Sequence, residues 1–490
     1  MKLALLIPDG AGIRNFLVGP FLRHAAAKGS VTVFHQIPEE LVPLYAAAGV
    51  SVGWQPLLPL PDSRLPLVLR NALGFAHMHW ADTTSMRHML GLPFGGSWRT
   101  RGAMRAARLV GRLSASQRSI RRLDRWHAAV VGESAEVSHY CRIFQEMKPS
   151  ALFCSNQRAG AAVPAVLAAK KLGIPAVAFI FSWDNLSSKG RIAAPFDCYL
   201  VWSDLMRQEL MHYYPDVSSD RVIVVGTPQF DPYCDAKLLW SREEFFQRIG
   251  ADPSRPLICY SGGDRSIYPA EERFVSILLE LIEARRIKGW PQVVLRPSPV
   301  DEGSRYAAVR AAHPELIYSP PDWLHTDPGN WTSVIPQRSD LQVLANLTQH
   351  ADLNVNLAST MTLDFAIHDK PVVNVAFDPI LPPPLGVPLW DLYYRYEHYR
   401  PVVELGAARF ARSSDELAEH VNAYLEDPSL DRENRRRFVE LEVDGPVGQA
   451  SVRIVDVLAQ IGRDRASSPI AIEREERDGA VFSRRAARSS

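Results

Sequence analysis

The sequence predicts an α/β protein made of two doubly wound parallel-sheet domains that face each other across a central cleft. Three observations predict it. At 490 residues the chain is too long for one hydrophobic core. With 47% hydrophobic and 22% charged residues it has the balance of a globular protein. Short apolar runs alternate with longer segments of helical period, the pattern of strands joined by crossover helices, and that alternation starts afresh near the middle of the chain.

In the first half, strands are expected at residues 2–7, 31–35, 151–155, 175–181, 197–202 and 221–225, with helices such as 16–28 and 159–172 between them. The opening run Leu3-Ala4-Leu5-Leu6-Ile7 reads as a buried first strand and not a secretory leader, because Pro8-Asp9-Gly10 interrupts it at once. The second half repeats the rhythm with strands at 256–260, 292–295, 316–319, 352–357 and 371–377. Gly226-Thr227-Pro228-Gln229-Phe230-Asp231-Pro232 marks the junction: Gly and two prolines after a strand read as a tight turn and as a hinge at the mouth of the cleft. The expected organisation is a first domain over 1–235 with a basic helical insertion at 57–127, and a second domain over 236–430. Helices at 431–462 then cross back to the first domain, and the Ser-rich, charge-rich residues 463–490 read as a disordered tail.

A net charge of +1 speaks against a general nucleic-acid binder. The five cysteines are scattered, mostly in apolar runs, and form no CxxC pair; they read as reduced and buried, with no structural zinc site. No apolar run approaches the roughly 20 residues that span a bilayer, so a cytoplasmic protein is expected. Charge is nevertheless concentrated locally, since residues 87–127 hold ten arginines against one acid, Asp124. With apolar residues at helical spacing, this segment reads either as a solvated face or as a cationic amphipathic surface touching the inner face of the plasma membrane or a phosphate-bearing acceptor.

The candidate chemistry lies at strand exits, the edge of an open parallel sheet where ligands bind. Pro8-Asp9-Gly10-Ala11-Gly12-Ile13-Arg14-Asn15 follows the first strand. Asn15 replaces the third glycine of a dinucleotide fingerprint, and Phe34-His35-Gln36 brings no acid to the end of the second strand, which excludes a nicotinamide enzyme. Asp9 is a candidate general base and equally a helix-capping aspartate. Arg14, Asn15, Asn156, Arg158, Asn185 and Lys189 are expected around the acceptor, with Asp184, in Ser182-Trp183-Asp184-Asn185, as the second candidate base. In the second half, Gly262 and Gly263 follow a strand, where paired glycines let backbone N–H groups approach a diphosphate. Arg296 stands at the next exit, suited to phosphate oxygens. Ser359 and Thr360 combine hydroxyls with a positive helix end, and Asp364, one turn on, faces the same way toward a donor hydroxyl. The aromatic stretch Trp390–Tyr399 reads as a stacking surface or as a loop packed on the other domain.

Together Asn356-x-x-Ser359-Thr360-x-x-x-Asp364 with Lys370-Pro371-Val372-Val373-Asn374, Leu295-Arg296-Pro297, and Gly226-Thr227-Pro228 with Asp231 resemble the GT-B glycosyltransferases, whose two domains are Rossmann-like. The likeness covers residues 150–460 and is to the bacterial branch related to CDP-glycerol glycerophosphotransferases and surface-polysaccharide transferases. It implies that Gly262, Gly263, Arg296, Ser359 and Thr360 hold the donor's phosphates, that Asp364 lies near its ribose or transferred group, and that Asp9 is the base. It also implies transfer without a metal or other cofactor, and no Asp-x-Asp metal motif occurs. Ser298 stands where the glycerophosphotransferase branch shows histidine, which favours glycosyl transfer, with inversion, to a hydroxyl of a glycan or lipid-linked acceptor. A UDP-sugar is the expected donor, with a CDP- or CMP-linked one as the alternative. The competing readings are polyol-phosphate transfer, nucleotide-sugar 2-epimerisation and a non-catalytic nucleotide-sugar-binding subunit.

Overall fold

The computed structural model describes residues 1–46, 50–59, 64–301, 303–325 and 334–467. Seven parallel strands form the first sheet: β1 (Lys2–Ile7), β2 (Ser30–His35), β3 (Val52–Pro56), β4 (Ala151–Cys154), β5 (Ala176–Phe179), β6 (Cys198–Val201) and β7 (Val222–Val224), in the order β3-β2-β1-β4-β5-β6-β7. β4 and β5 are buried along their whole length and β1 is exposed only at Lys2, as expected of parallel strands covered by helices on both faces. The chain order reverses between β1 and β4, so the crevice of this sheet opens at their carboxyl ends.

The second sheet has six parallel strands: β8 (Leu257–Ser261), β9 (Gln292–Arg296), β10 (Ile317–Tyr318), β13 (Leu353–Asn356), β14 (Val372–Val375) and β15 (Arg409–Ala411), in the order β10-β9-β8-β13-β14-β15. Its order reverses between β8 and β13. An antiparallel pair, β11 (Trp323–His325) and β12 (Val334–Pro336), stands apart. The two doubly wound sheets are those expected; β3, β15 and this pair were not foreseen.

Three local details differ from expectation. The expected helix 16–28 opens as a wide π-helical turn, Ile13–Val18, before helix Phe21–Ala27. The Gly-Pro junction does not end regular structure: Gly226 takes a φ of 75°, and Pro228–Cys234 then winds as a buried 3₁₀ helix started by Thr227, whose Oγ1 accepts the Gln229 N–H at 3.3 Å. Near the carboxyl end the chain stays helical, Ala450–Ser467, past the point at which disorder was expected; residues 468–490 lie outside the described residues. That helix packs on the first sheet's side of the molecule, and Asp231 caps it, accepting from Ala450 N at 3.0 Å and Ser451 N at 2.7 Å. Of the cysteines, Cys154 and Cys259 are buried as expected, but Cys234 is exposed.

Between β3 and β4 lie helices Arg64–Ala81, Thr84–Gly91, Trp98–Leu113, Gln117–Gly132 and Ala135–Met147. Among the described residues no helix is long and apolar enough to cross a membrane.

Candidate active site

The exits of β1, β4 and β5 converge into one polar network. Asp9 caps the turn after β1, accepting from Gly12 N at 3.0 Å, and its other oxygen accepts from Asn156 Nδ2 at 2.5 Å. Asn156 in turn accepts the Arg158 N–H at 2.8 Å. From the next exit, Asn185 accepts from Gln157 at 3.0 Å and donates to Asp184 at 2.9 Å. Ser182 and Ser188 also donate to Asp184, at 2.6 and 2.9 Å, and Lys189 Nζ lies 3.6 Å away. Arg158 stands between, feeling the charges of both aspartates, and burial lowers its own affinity for the proton. The helix-capping reading of Asp9 is thus observed.

The environments push the two carboxyls apart. Burial raises the Asp9 pKa, against the partial relief of the Gly12 N–H and Asn156. Burial acts the same way on Asp184, but the charges of Lys189 and His398 and the Ser182 and Asn185 donors outweigh it and hold that carboxyl well below the usual carboxylate range. Of the pair, Asp9 holds its proton more tightly than an ordinary aspartate and Asp184 less tightly.

In the second domain the β13 exit is rigid. Asn356 reaches Asn354 at 2.6 Å and Thr362 at 3.1 Å, and Asn354 reaches Ser261 at 2.7 Å. Ala358 is held at a φ of 44°, its N–H on Asn374 at 3.2 Å, so the chain turns sharply into Ser359 and Thr360. Both are half-buried, and Ser359 Oγ accepts from Met361 N at 3.3 Å.

Three donor-site expectations need correction. The Gly262 N–H is taken by Arg296 O at 2.9 Å, and the Gly263 N–H by both Glu271 oxygens at 2.9 Å, so this loop offers no free cradle. Gly262 is required by packing instead: a Cβ would strike the Tyr306 hydroxyl. Arg296 is buried and paired with Asp340 at 2.7 Å, which leaves only Nη1 without a partner. Asp364 is buried and turned toward the hinge, where Tyr233 donates to it and Arg14 Nη2 lies 3.9 Å away; burial raises its pKa. The partners Glu271, Asp340 and Tyr233 escaped sequence reasoning because their pairings, across 8, 44 and 131 residues, form only in the fold, although Tyr233 directly follows the junction motif.

The same contacts join the two sheets' crevices. Arg14 and Asn15 start the π-helical turn after β1; Arg14 reaches across to Asp364 behind the β13 exit, and Asn15 is buried with its Oδ1 unpartnered. Gly10 lies against the Val334 carbonyl so closely that no Cβ fits between. The aromatic stretch packs on the first domain, since Glu397 accepts the Thr84 N–H at 2.7 Å and Trp183 meets the His398 ring at 5.5 Å. Its packing on the other domain is as expected, but the stretch is a run of short helices with Tyr393, Tyr394 and Tyr399 buried, not a surface loop.

No protein-family model matches the sequence, and no curated protein sequence does. Solved structures do match in fold. The UDP-GlcNAc 2-epimerase of Neisseria meningitidis bound to UDP-GlcNAc superposes with a TM-score of 0.52 at 12% identity, over 94% of this chain and 100% of that one. The S. aureus MnaA–UDP co-structure gives 0.50 at 11% identity, over 94% and 96%. The wall teichoic acid polymerase TagF gives 0.49 at 9%, over 95% and 90%. The two matches at 0.50 and above, together with the two parallel sheets, give the protein the two-domain GT-B-type fold.

Proposed function

We propose that the protein is a glycosyltransferase of the GT-B type, moving a sugar from a nucleotide-activated donor to a hydroxyl of a glycan or lipid-linked acceptor, with inversion. The observation that carries this reading is the apposition of two strand-exit crevices, with Arg14 of one reaching Asp364 of the other. A donor held at the β13 exit then presents its anomeric carbon to the β1 exit. Asp9 takes the proton of the acceptor hydroxyl, the acceptor oxygen bonds to the anomeric carbon, and the bond from that carbon to the phosphate oxygen breaks. The departing diphosphate meets the half-buried Ser359 and Thr360 at the start of helix Met361–Ile367, hydroxyls matched to growing negative charge. Asp184, held ionised, orients Asn185 and Lys189 around the acceptor. A UDP-linked donor is favoured, with a CDP- or CMP-linked donor as the alternative.

Thermal shift against UDP, CDP, CMP, GDP and dTDP tests the donor half. A nucleotide at about a hundred times its Kd stabilises the native state by about 2.7 kcal/mol. Silence from all five would remove the donor assignment. Asp9→Asn tests the chemistry: transfer falls by about 10²–10⁴-fold while the nucleotide shift persists. Conversion of a nucleotide sugar with no acceptor present would favour a 2-epimerase instead.

A further inference from the structure

Helix Trp98–Leu113 is pressed by one face against helix Arg64–Ala81. A Cβ on Gly111 would sit 2.5 Å from Phe75 Cβ and 2.8 Å from Ala76 N, and Ala107 is buried beside it. The opposite face carries Trp98, Leu109 and Leu113, which are 71%, 59% and 79% exposed. Steps of three and four residues place these three, with Gly102 and Ala106, on one stripe along the helix. The helix is thus already satisfied on its packed side, and the stripe has no use in the core.

The charges around the stripe are as uncommitted as its leucines. Arg101, Arg105 and Arg112 flank it on one side and Arg99 on the other, all exposed, and none makes an ion pair among the described residues. Arg108 is the exception that turns inward, donating to Leu92 O at 3.0 Å and lying 3.9 Å over the Phe94 ring. On the next helix Arg118, Arg122 and Arg125 are likewise exposed and unpaired, whereas Arg121 meets Asp216 at 2.6 Å. A protein of net charge +1 has gathered its positive charge around one apolar strip.

We propose that this face docks on an anionic lipid bilayer. The helix lies in the plane of the headgroups, Trp98, Leu109 and Leu113 enter the acyl boundary, and the flanking guanidiniums meet lipid phosphates and carboxylates. The supporting helix Arg64–Ala81 also sends Arg70 to the Arg158 carbonyl, so one helix carries both this insertion and a contact to the β4 exit. The proposal rests on the surface alone and stands whether or not the proposed reaction does.

Co-sedimentation of the full chain with vesicles of phosphatidylcholine alone, and of phosphatidylcholine and phosphatidylglycerol at about two to one, tests it. Binding to the anionic vesicles is expected to be about tenfold tighter or more, and to fade as salt is raised. Leu109→Ser with Leu113→Ser, at exposed positions that leave the fold intact, is expected to weaken it by about tenfold or more. Equal binding to both vesicles, no binding, or an unaffected double variant would overturn the proposal. So would a parent dimer that the double variant dissociates with vesicle binding unchanged, which assigns the stripe to a second copy. Duplex DNA bound as tightly as the anionic vesicles at the same ionic strength would also overturn it, assigning the arginines to nucleic acid.

Discussion

Asp9 and Asp184 stand at the exits of β1 and β5, on either side of β4, and share Arg158 as a neighbour, yet the protein tunes them in opposite directions. With its folded-state pKa raised by burial, Asp9 contributes stability that is fully present below the ordinary value of 3.8 and is lost as pH rises through the raised one. Asp184, with its pKa depressed, contributes stability above 3.8 that is lost as pH falls through the lower value. A base works in its ionised form. The acid limb of kcat/KM is therefore expected above the range of an ordinary aspartate, and Asp184→Asn should leave that limb in place. A limb at or below 3.8 in the pH profile would show that another group takes the proton.

At the scale of elements, what the sequence made legible is what local pattern encodes. The runs that became β1 and β8 are largely apolar, short and bounded by turn residues, and they were readable as buried parallel strands. Val52–Pro56 was missed because it is an edge strand with a glycine and a terminal proline, half exposed along its length; Arg409–Ala411 was missed because three residues carry no period. The site followed the same division. Strand-exit loops were visible, since a loop's own residues define it. The Glu271 carboxylate in the Gly263 cradle and the Asp340 partner of Arg296 were not, because pairings across 8 and 44 residues depend on the fold already being in place. Helix packing offers its own check. Gly111→Ala forces apart helices Trp98–Leu113 and Arg64–Ala81, and a loss of about 1–3 kcal/mol in denaturant unfolding is expected. An unchanged midpoint would mean that the insertion is packed more loosely than its contacts indicate.

For the whole molecule, the two halves share one buried apolar cluster that includes Leu5 and Phe153 of the first sheet with Leu344 and Phe365 of the second half, and polar bridges add to it: Arg14 to Asp364, Tyr45 to the Pro336 carbonyl at 2.8 Å, and Glu397 to the Thr84 N–H. Asp9 is only 8% exposed, so the proposed mechanism requires the halves to part before an acceptor hydroxyl can reach it, and we propose the Gly226–Asp235 segment as the pivot. Tyr233 guards that segment by donating to the buried Asp364. Tyr233→Phe strands the carboxylate without its hydroxyl partner, and a loss of about 1–3 kcal/mol in stability is expected, together with faster amide hydrogen exchange over 226–235. Exchange rates there equal to those of the parent would locate the pivot elsewhere.

Asp231 binds the start of the last helix from within that same pivot, and Ile454, Val455 and Leu458 are buried in the core cluster that contains the first sheet. The polypeptide is therefore interlocked, like a strap that leaves one half, passes through the other and is buckled back at the joint. Severing it after residue 449 would unfasten the first half by removing a piece made at the far end. A single cut at the pivot therefore deprives the first half of this helix, and a permuted chain that joins 450–467 directly to the first half is the natural way to restore it.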